Sequence, residues 1–384
     1  MDRPLAVPGR LALVAALLAS ITCLAVWQSA DRALANHVRE TRVSVMTRNI
    51  YLGADLVPAF VASDREEFER RAGDIFRTVR KPDFPSRAKR LAREVRAATP
   101  DVIGLQEVAL WRRGEDGEKD GDDTPAQIVE YDFLRTLRTE LRRQGLNYRT
   151  SVSQVEADIE VPTDLGYDVR LSMRDVILTR RGAGIVPTRS RRDRYQDNLT
   201  VSTPVGTFTS RRGWVSLDAT VRGQPMRFVN THLESVGAEV RADQARELRA
   251  SGGPLRTSRP LVVLGDLNSS PIDDSDEGAA YRVLESFGMR DAVQEARGNP
   301  IRTCCLSETV DDARFDYDTP IDHVLVRGSG LRGRTASRVG DDPGNRTSDG
   351  LWPSDHAGIF ARLRVRRAAP VVRRAPAFTG RAGR

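Results

Sequence analysis

Short apolar runs that end on polar residues, interleaved with helical stretches, constrain this chain's fold more than any other feature. Val102-Ile103-Gly104-Leu105 ends on Gln106-Glu107, and Leu261-Val262-Val263-Leu264 ends on Gly265-Asp266-Leu267-Asn268. Uninterrupted apolar runs of this length are the mark of strands covered on both faces. Further strand-like runs fall at Val43–Asn49, 173–179, 213–221, 226–231, 322–326 and 357–365. Apolar residues at helical spacing predict helices over about 87–98, with Ser86 as a cap, and over 125–144, 238–249 and 279–287. Strands alternating with helices imply an α/β layered domain. No linker interrupts residues 41–365, so the span is expected to be one domain.

The ends of the chain differ from its middle. Arg3 and Arg10 precede an uncharged stretch from Leu11 to Trp27, and Ala33-Leu34-Ala35 follows. That order is an export signal over residues 1–35, which places the mature protein outside the cell. The uncharged stretch is at the short limit for a membrane span, so an uncleaved anchor facing outside is the alternative. Residues 366–384 carry six Arg and no acid; they are expected to be a disordered tail able to contact an anionic surface. The ends account for the whole formal net charge of +7, and residues 31–364 are balanced. The middle therefore carries no electrostatic stripe for a nucleic-acid duplex. Three Cys exclude a multi-disulfide framework. Cys23 belongs to the leader, and the neighbours Cys304 and Cys305 form either a thiol pair in a tight loop or a strained disulfide. Nothing in the sequence calls for more than a monomer.

Chemistry gathers where the strands end. Six short segments bring polar residues to such positions: Asn49, Gln106-Glu107, Asn230-Thr231-His232, Gly265-Asp266-Leu267-Asn268, Asp322-His323 and Ser354-Asp355-His356. Three of the four His fall inside these segments, and the fourth, His37, lies beside the leader. Each residue alone has a plainer explanation: Asn49 as a turn residue, Glu107 in a salt bridge, His232 as a satisfied core residue. Together they suit hydrolysis of a phosphate ester. A hard cation held by carboxylates offsets phosphate charge, a carboxylate orients water, and a protonated His stabilises the leaving oxygen. Glu107 fits the metal role, Asp266 the water, His356 the phosphate, and Asp322 the support of that His.

This ordered set resembles the endonuclease/exonuclease/phosphatase superfamily. The resemblance implies a four-layer α-β-β-α sandwich built on two packed mixed β-sheets. It implies a Mg²⁺ or Mn²⁺ site at Glu107, with Asn49 and Asp355 nearby. It further implies that Asp266 positions the attacking water and that Asn268 orients Asp266 or the phosphate. Asp322 would pair with His356, and His232 would contact the scissile phosphate or assist the leaving group. Asn230 is expected to bind substrate, as is Arg174, although Arg174 and Asp175 are also consistent with an ordinary surface pair. The implied activity is a secreted phosphodiesterase acting on nucleic acid, with a sphingomyelinase-like or other phospholipid substrate as the alternative. A non-enzymatic module that binds anions through its tail is the reading from a different class.

Overall fold

The computed structural model describes residues 40–115 and 126–366. The expected export segment over residues 1–35, Cys23, His37, residues 116–125 and the expected tail beyond Arg366 lie outside the described residues. Thr41–Val365 forms a single compact unit. Among the described residues, no helix is long and apolar enough to cross a membrane.

Two mixed β-sheets form the centre. The first holds β1 (Glu40–Asn49), β2 (Val102–Gln106), β3 (Leu110–Arg113), β4 (Ile128–Asp132), β5 (Tyr148–Val161), β6 (Val169–Arg180), β15 (Leu331–Val339) and β16 (Gly358–Arg366). The second holds β7 (Ile185–Arg194), β10 (Gly213–Val221), β11 (Gln224–His232), β12 (Leu261–Asp266), β13 (Arg290–Asp291) and β14 (Asp322–Arg327). A separate hairpin is made by β8 (Leu199–Thr203) and β9 (Gly206–Ser210).

Strand alternation builds the layers. On β1, β2 and β6, Val45, Val102 and Ile177 point inward and meet Leu217, Phe228, Val262 and Leu264 of the other sheet. Their chain neighbours Met46, Ile103 and Leu178 point outward. There they meet Phe76 of α2 (Arg65–Val79), Leu91 of α3 (Phe84–Ala98) and Phe133 of α4 (Phe133–Arg143). On the far side, Val229, Leu261 and Val263 pack against Ala245 of α5 (Ala238–Glu247) and Leu284 of α6 (Ala279–Ser286). The result is the expected four-layer α-β-β-α sandwich. The sheets approach closely at Gly104, where an added Cβ would lie 2.3 Å from Asn230 Oδ1 and 2.9 Å from Leu264 Cβ. Trp214 is core, as its strand position implies.

The predicted helix over 125–144 is a strand followed by a helix. Ile128–Asp132 pairs with β3, and the Asp132 carboxylate then accepts from Arg135 N at 3.2 Å and starts α4. Capping chemistry, not apolar spacing, sets that boundary. Similarly, α3 begins at Phe84, so Ser86 lies inside its first turn and caps nothing.

A buried ion pair ties α3 to β1. Arg48 Nε lies 3.1 Å from Glu94 Oε2, and Arg48 Nη1 also donates to the carbonyl oxygens of Asn49 and His356. Removing one member of a buried pair strands the other without water. Arg48→Met is expected to lower unfolding stability by about 3–5 kcal/mol, whereas Arg65→Ala, which breaks an exposed helix pair with Glu69, costs less than about 1 kcal/mol. Urea denaturation of both variants checks this, and equal losses would contradict it.

Candidate active site

Topology delivers the polar residues to one end of the sandwich. β1 and β2 run parallel, so Asn49 and Gln106 lie side by side where both strands end. β11 and β12 are also parallel, which sets His232 beside Asp266. β14 runs antiparallel to β12, so its first residue, Asp322, arrives opposite Asp266. Ser354-Asp355-His356 enters just before β16; Ser354 Oγ donates to Asn49 O at 2.9 Å, and Ala357 N donates to Thr303 O at 2.8 Å.

The surroundings push the two His residues nearest Asp266 toward opposite protonation states. His356 Nδ1 lies 2.9 Å from Asp322 Oδ2. Burial pulls the His356 pKa down, but Asp322, Asp355 and Asp266 outweigh it and raise the pKa well above the usual imidazole range. His356 is thus an imidazolium near neutral pH. His232 faces the reverse situation. Arg212 Nη1 lies 2.9 Å from His232 Nδ1, and a guanidinium only donates, so Nδ1 is the acceptor. Burial, the Arg212 charge and His356 together push the His232 pKa well down. Its Nε2 then carries the hydrogen, 3.6 Å from Asp266 Oδ2.

Asp266 is oriented from both sides. Asn268 N donates to one oxygen at 3.0 Å, and Asn49 Nδ2 donates to the other at 3.1 Å. Burial and the neighbouring Asp322 push the Asp266 carboxyl up to about 6, against the opposing pull of His356 and these hydrogen bonds.

Glu107 reaches the site because a strand pairing breaks. β2 and β3 pair with successive halves of β6, and the residues between them form a turn in which Glu107 has φ 56°. Its Oε2 accepts from Leu52 N at 2.8 Å. Burial raises its pKa, and so does the carboxylate of Asp355. Two half-buried carboxylates that repel each other at the edge of the cavity make a donor set suited to a hard divalent cation. Asn49 lies beside this pair; its Oδ1 accepts from Tyr51 N and its Nδ2 donates to Asp266, so the side chain also positions Asp266. Ligand atoms of Asp266, Asp322 and His356 also lie within 4.8 Å of one another. There, however, Asp322 and His356 spend their facing atoms on each other.

Two residues expected to meet substrate lie elsewhere. Side chains of Arg174 and Asp175 leave β6 on opposite faces. Arg174 turns away from the cavity, donates to the carbonyl oxygens of Val108 and Ala109, and pairs with Asp132 at 2.8 Å. It braces the Glu107 turn. Asp175 is the residue that points inward, fully buried among Arg212, Asp266 and Glu107. Burial raises its pKa well above the carboxylate range, as burial and Asp175 do for the neighbouring Glu156. Asn230 sits between the sheets, accepting from Gln106 Nε2 at 2.5 Å and donating to Leu105 O at 3.0 Å, and does not border the cavity.

Arg212 and Glu234 stand in no recognisable sequence pattern, yet Arg212 sets the state of His232 and lies 3.6 Å from Glu234. The Cys304 and Cys305 side chains sit together, and each sulfur lies 3.7 Å from His356 Nε2. Cys305 borders the cavity.

The chain belongs to the Endonuclease/Exonuclease/phosphatase family, which it matches over residues 49–356. Members of that family are hydrolases acting on phosphoester bonds and use divalent metals. Among solved structures, a family protein from Bacteroides thetaiotaomicron is 16% identical, with 86% of this chain and 100% of that chain covered and a TM-score of 0.50. One from Leptotrichia buccalis C-1013-b is 18% identical, with 84% and 99% covered and a TM-score of 0.51. At such identity the likeness is one of fold. No curated protein sequence matches this one.

If the Arg212 guanidinium keeps His232 neutral, Arg212→Met will raise the His232 pKa. Imidazole proton resonances followed by NMR from pH 4 to 8 test this; an unchanged His232 titration would disprove the assignment.

Proposed function

We propose that this protein is an exported, divalent-metal-dependent phosphodiesterase. The observation that carries the reading is geometric: two His residues lie within 4 Å of the oriented Asp266 carboxylate, one facing Asp322 and the other facing the Arg212 guanidinium. Glu107 and Asp355 would hold Mg²⁺ or Mn²⁺, and such a cation supplies charge neutralisation to the phosphate oxygens. Asp266, fixed by Asn49 and Asn268, orients a water molecule and takes its proton as the water oxygen bonds to phosphorus. The bond from phosphorus to the leaving oxygen breaks, and His356, already charged, gives that oxygen its proton. The products are a phosphate monoester and an alcohol. Neutral His232 donates from Nε2 to a phosphate oxygen and adds no competing acid. Asp322 keeps His356 charged and turned toward the phosphate, with its backbone N 3.2 Å from Thr303 Oγ1.

Export rests on the N-terminal segment and remains part of this proposal. Between the two substrate classes, the electrostatics of the cavity favour a singly charged diester over a polyanion. Among the described residues lining it, Arg212 is the one Arg or Lys, and it is already engaged by His232 and Glu234. The non-enzymatic reading has little support, because the whole polar set is present and converges.

The test is hydrolysis of bis(p-nitrophenyl) phosphate by protein starting at residue 36, with Mg²⁺ or Mn²⁺. Chelation by EDTA is expected to abolish turnover and added metal to restore it. Asp266→Ala and His356→Ala are each expected to lose on the order of 10² or more in kcat, the usual loss for an acid–base or charge-stabilising group. Absence of metal-dependent turnover in the intact protein would overturn the proposal.

A further inference from the structure

The cavity that holds the polar residues has a second, apolar arm. Its volume is about 560 Å³, within the range of small-molecule sites. Glu107, His232, Asp266 and His356 line one part. Apolar side chains from four separate elements line the rest: Phe60 of α1 (Val57–Phe60), Ile159 of β5, Leu171 and Met173 of β6, and Val201 and Phe208 of the β8–β9 hairpin.

Strand alternation makes the two parts continuous. Leu171, Met173 and Asp175 occupy every second position of β6 and so share one face. The face that carries Asp175 into the polar centre carries apolar residues away from it. The hairpin closes the opposite wall: the Phe208 ring stacks on Phe68 at 6.0 Å and lies 6.1 Å from Phe60. Beneath Phe60 a further hollow of about 50 Å³ shares Leu56, Phe60, Ile159 and Leu171 with the cavity. At the mouth, Val57 and Val236 are 45% and 50% exposed. A wall closed by core packing would need no explanation, but this wall borders open space next to a phosphoester site.

We propose that the phosphate this enzyme cleaves is esterified to a long alkyl or acyl-bearing group, and that this group lies along the apolar arm. The inference rests on the phosphodiesterase reading and adds its substrate class: an amphiphilic diester with one negative charge. Three features support the match. The arm is apolar, it begins at the catalytic residues, and among the described residues it offers no free cation to a second phosphate. A nucleotide would bring further phosphates and polar base edges to a wall that is mainly apolar.

The test uses methyl, butyl and octyl esters of p-nitrophenyl phosphate with the intact protein and Mg²⁺, each below its aggregation concentration. The leaving group is constant, so changes in kcat/KM report the chain. Burial of each methylene is expected to raise kcat/KM by about fourfold at first, and by at least about a hundredfold from methyl to octyl. Phe208→Ala and Val201→Asp are each expected to reduce the octyl-to-methyl ratio by about tenfold or more. If one variant fails to fold, the ratio in the other decides, and the wild-type series stands without either. A flat series in an active enzyme overturns the inference and leaves the phosphodiesterase reading intact. So does a thymidine p-nitrophenyl phosphodiester that outpaces the octyl ester. No turnover of any diester, including bis(p-nitrophenyl) phosphate, overturns the reading beneath it.

Discussion

Carboxyl groups gathered at one end of the sandwich repel one another, and much of the local structure serves to hold them there. Glu107, Asp175, Asp266, Asp322 and Asp355 meet there, and Asp322, Asp355 and Glu107 contribute to raising the pKa of one or more neighbours. Such crowding persists only when each group has a defined means of relief. Asp322 finds it in His356, and Asp266 in two hydrogen bonds and the same imidazolium. Glu107 and Asp355 have the least relief from the protein itself, which is why they fit a cation.

The arrangement separates two imidazoles by surroundings alone. One is surrounded by carboxylates and the other is backed by a guanidinium. Both lie within 4 Å of the same Asp266 oxygen, at 3.6 and 3.8 Å. A site of this kind needs no unusual residue types, only unequal neighbours. The same economy governs the arginines around the site. Arg48, Arg174 and Arg212 are spent on holding backbone or side chains in place, so an Arg-rich composition yields little free positive charge at the cavity.

Much of the fold could be read in the sequence, because its strongest strands are continuous apolar runs that end on polar residues. That pattern pointed to Glu107, His232 and Asp266 and to the layered architecture together, whereas Asp322 and His356 stand where strands begin. What could not be read depended on contacts distant in the chain. Arg212 acts through a His twenty residues away, and no local pattern announces it. The choice between Arg174 and Asp175 turned on which face of β6 looks inward, a matter of pairing register. Asn230 follows its strand toward the site, yet Gly104 brings the opposite sheet so close that the side chain is consumed between them. The β4–α4 boundary was hidden because strand and helix share an apolar run and only Asp132 separates them.

Asp132 also has a mechanical consequence. Its carboxylate both caps α4 and receives Arg174, and Arg174 in turn grips the backbone of the turn that presents Glu107. Helix start, guanidinium and acidic turn are therefore links of one tether. Any force that draws Glu107 toward a bound charge is transmitted to the first turn of an outer helix, and by reciprocity the order of that helix is felt at the cleft. The outer layer is thus part of the site's stiffness as well as its cover.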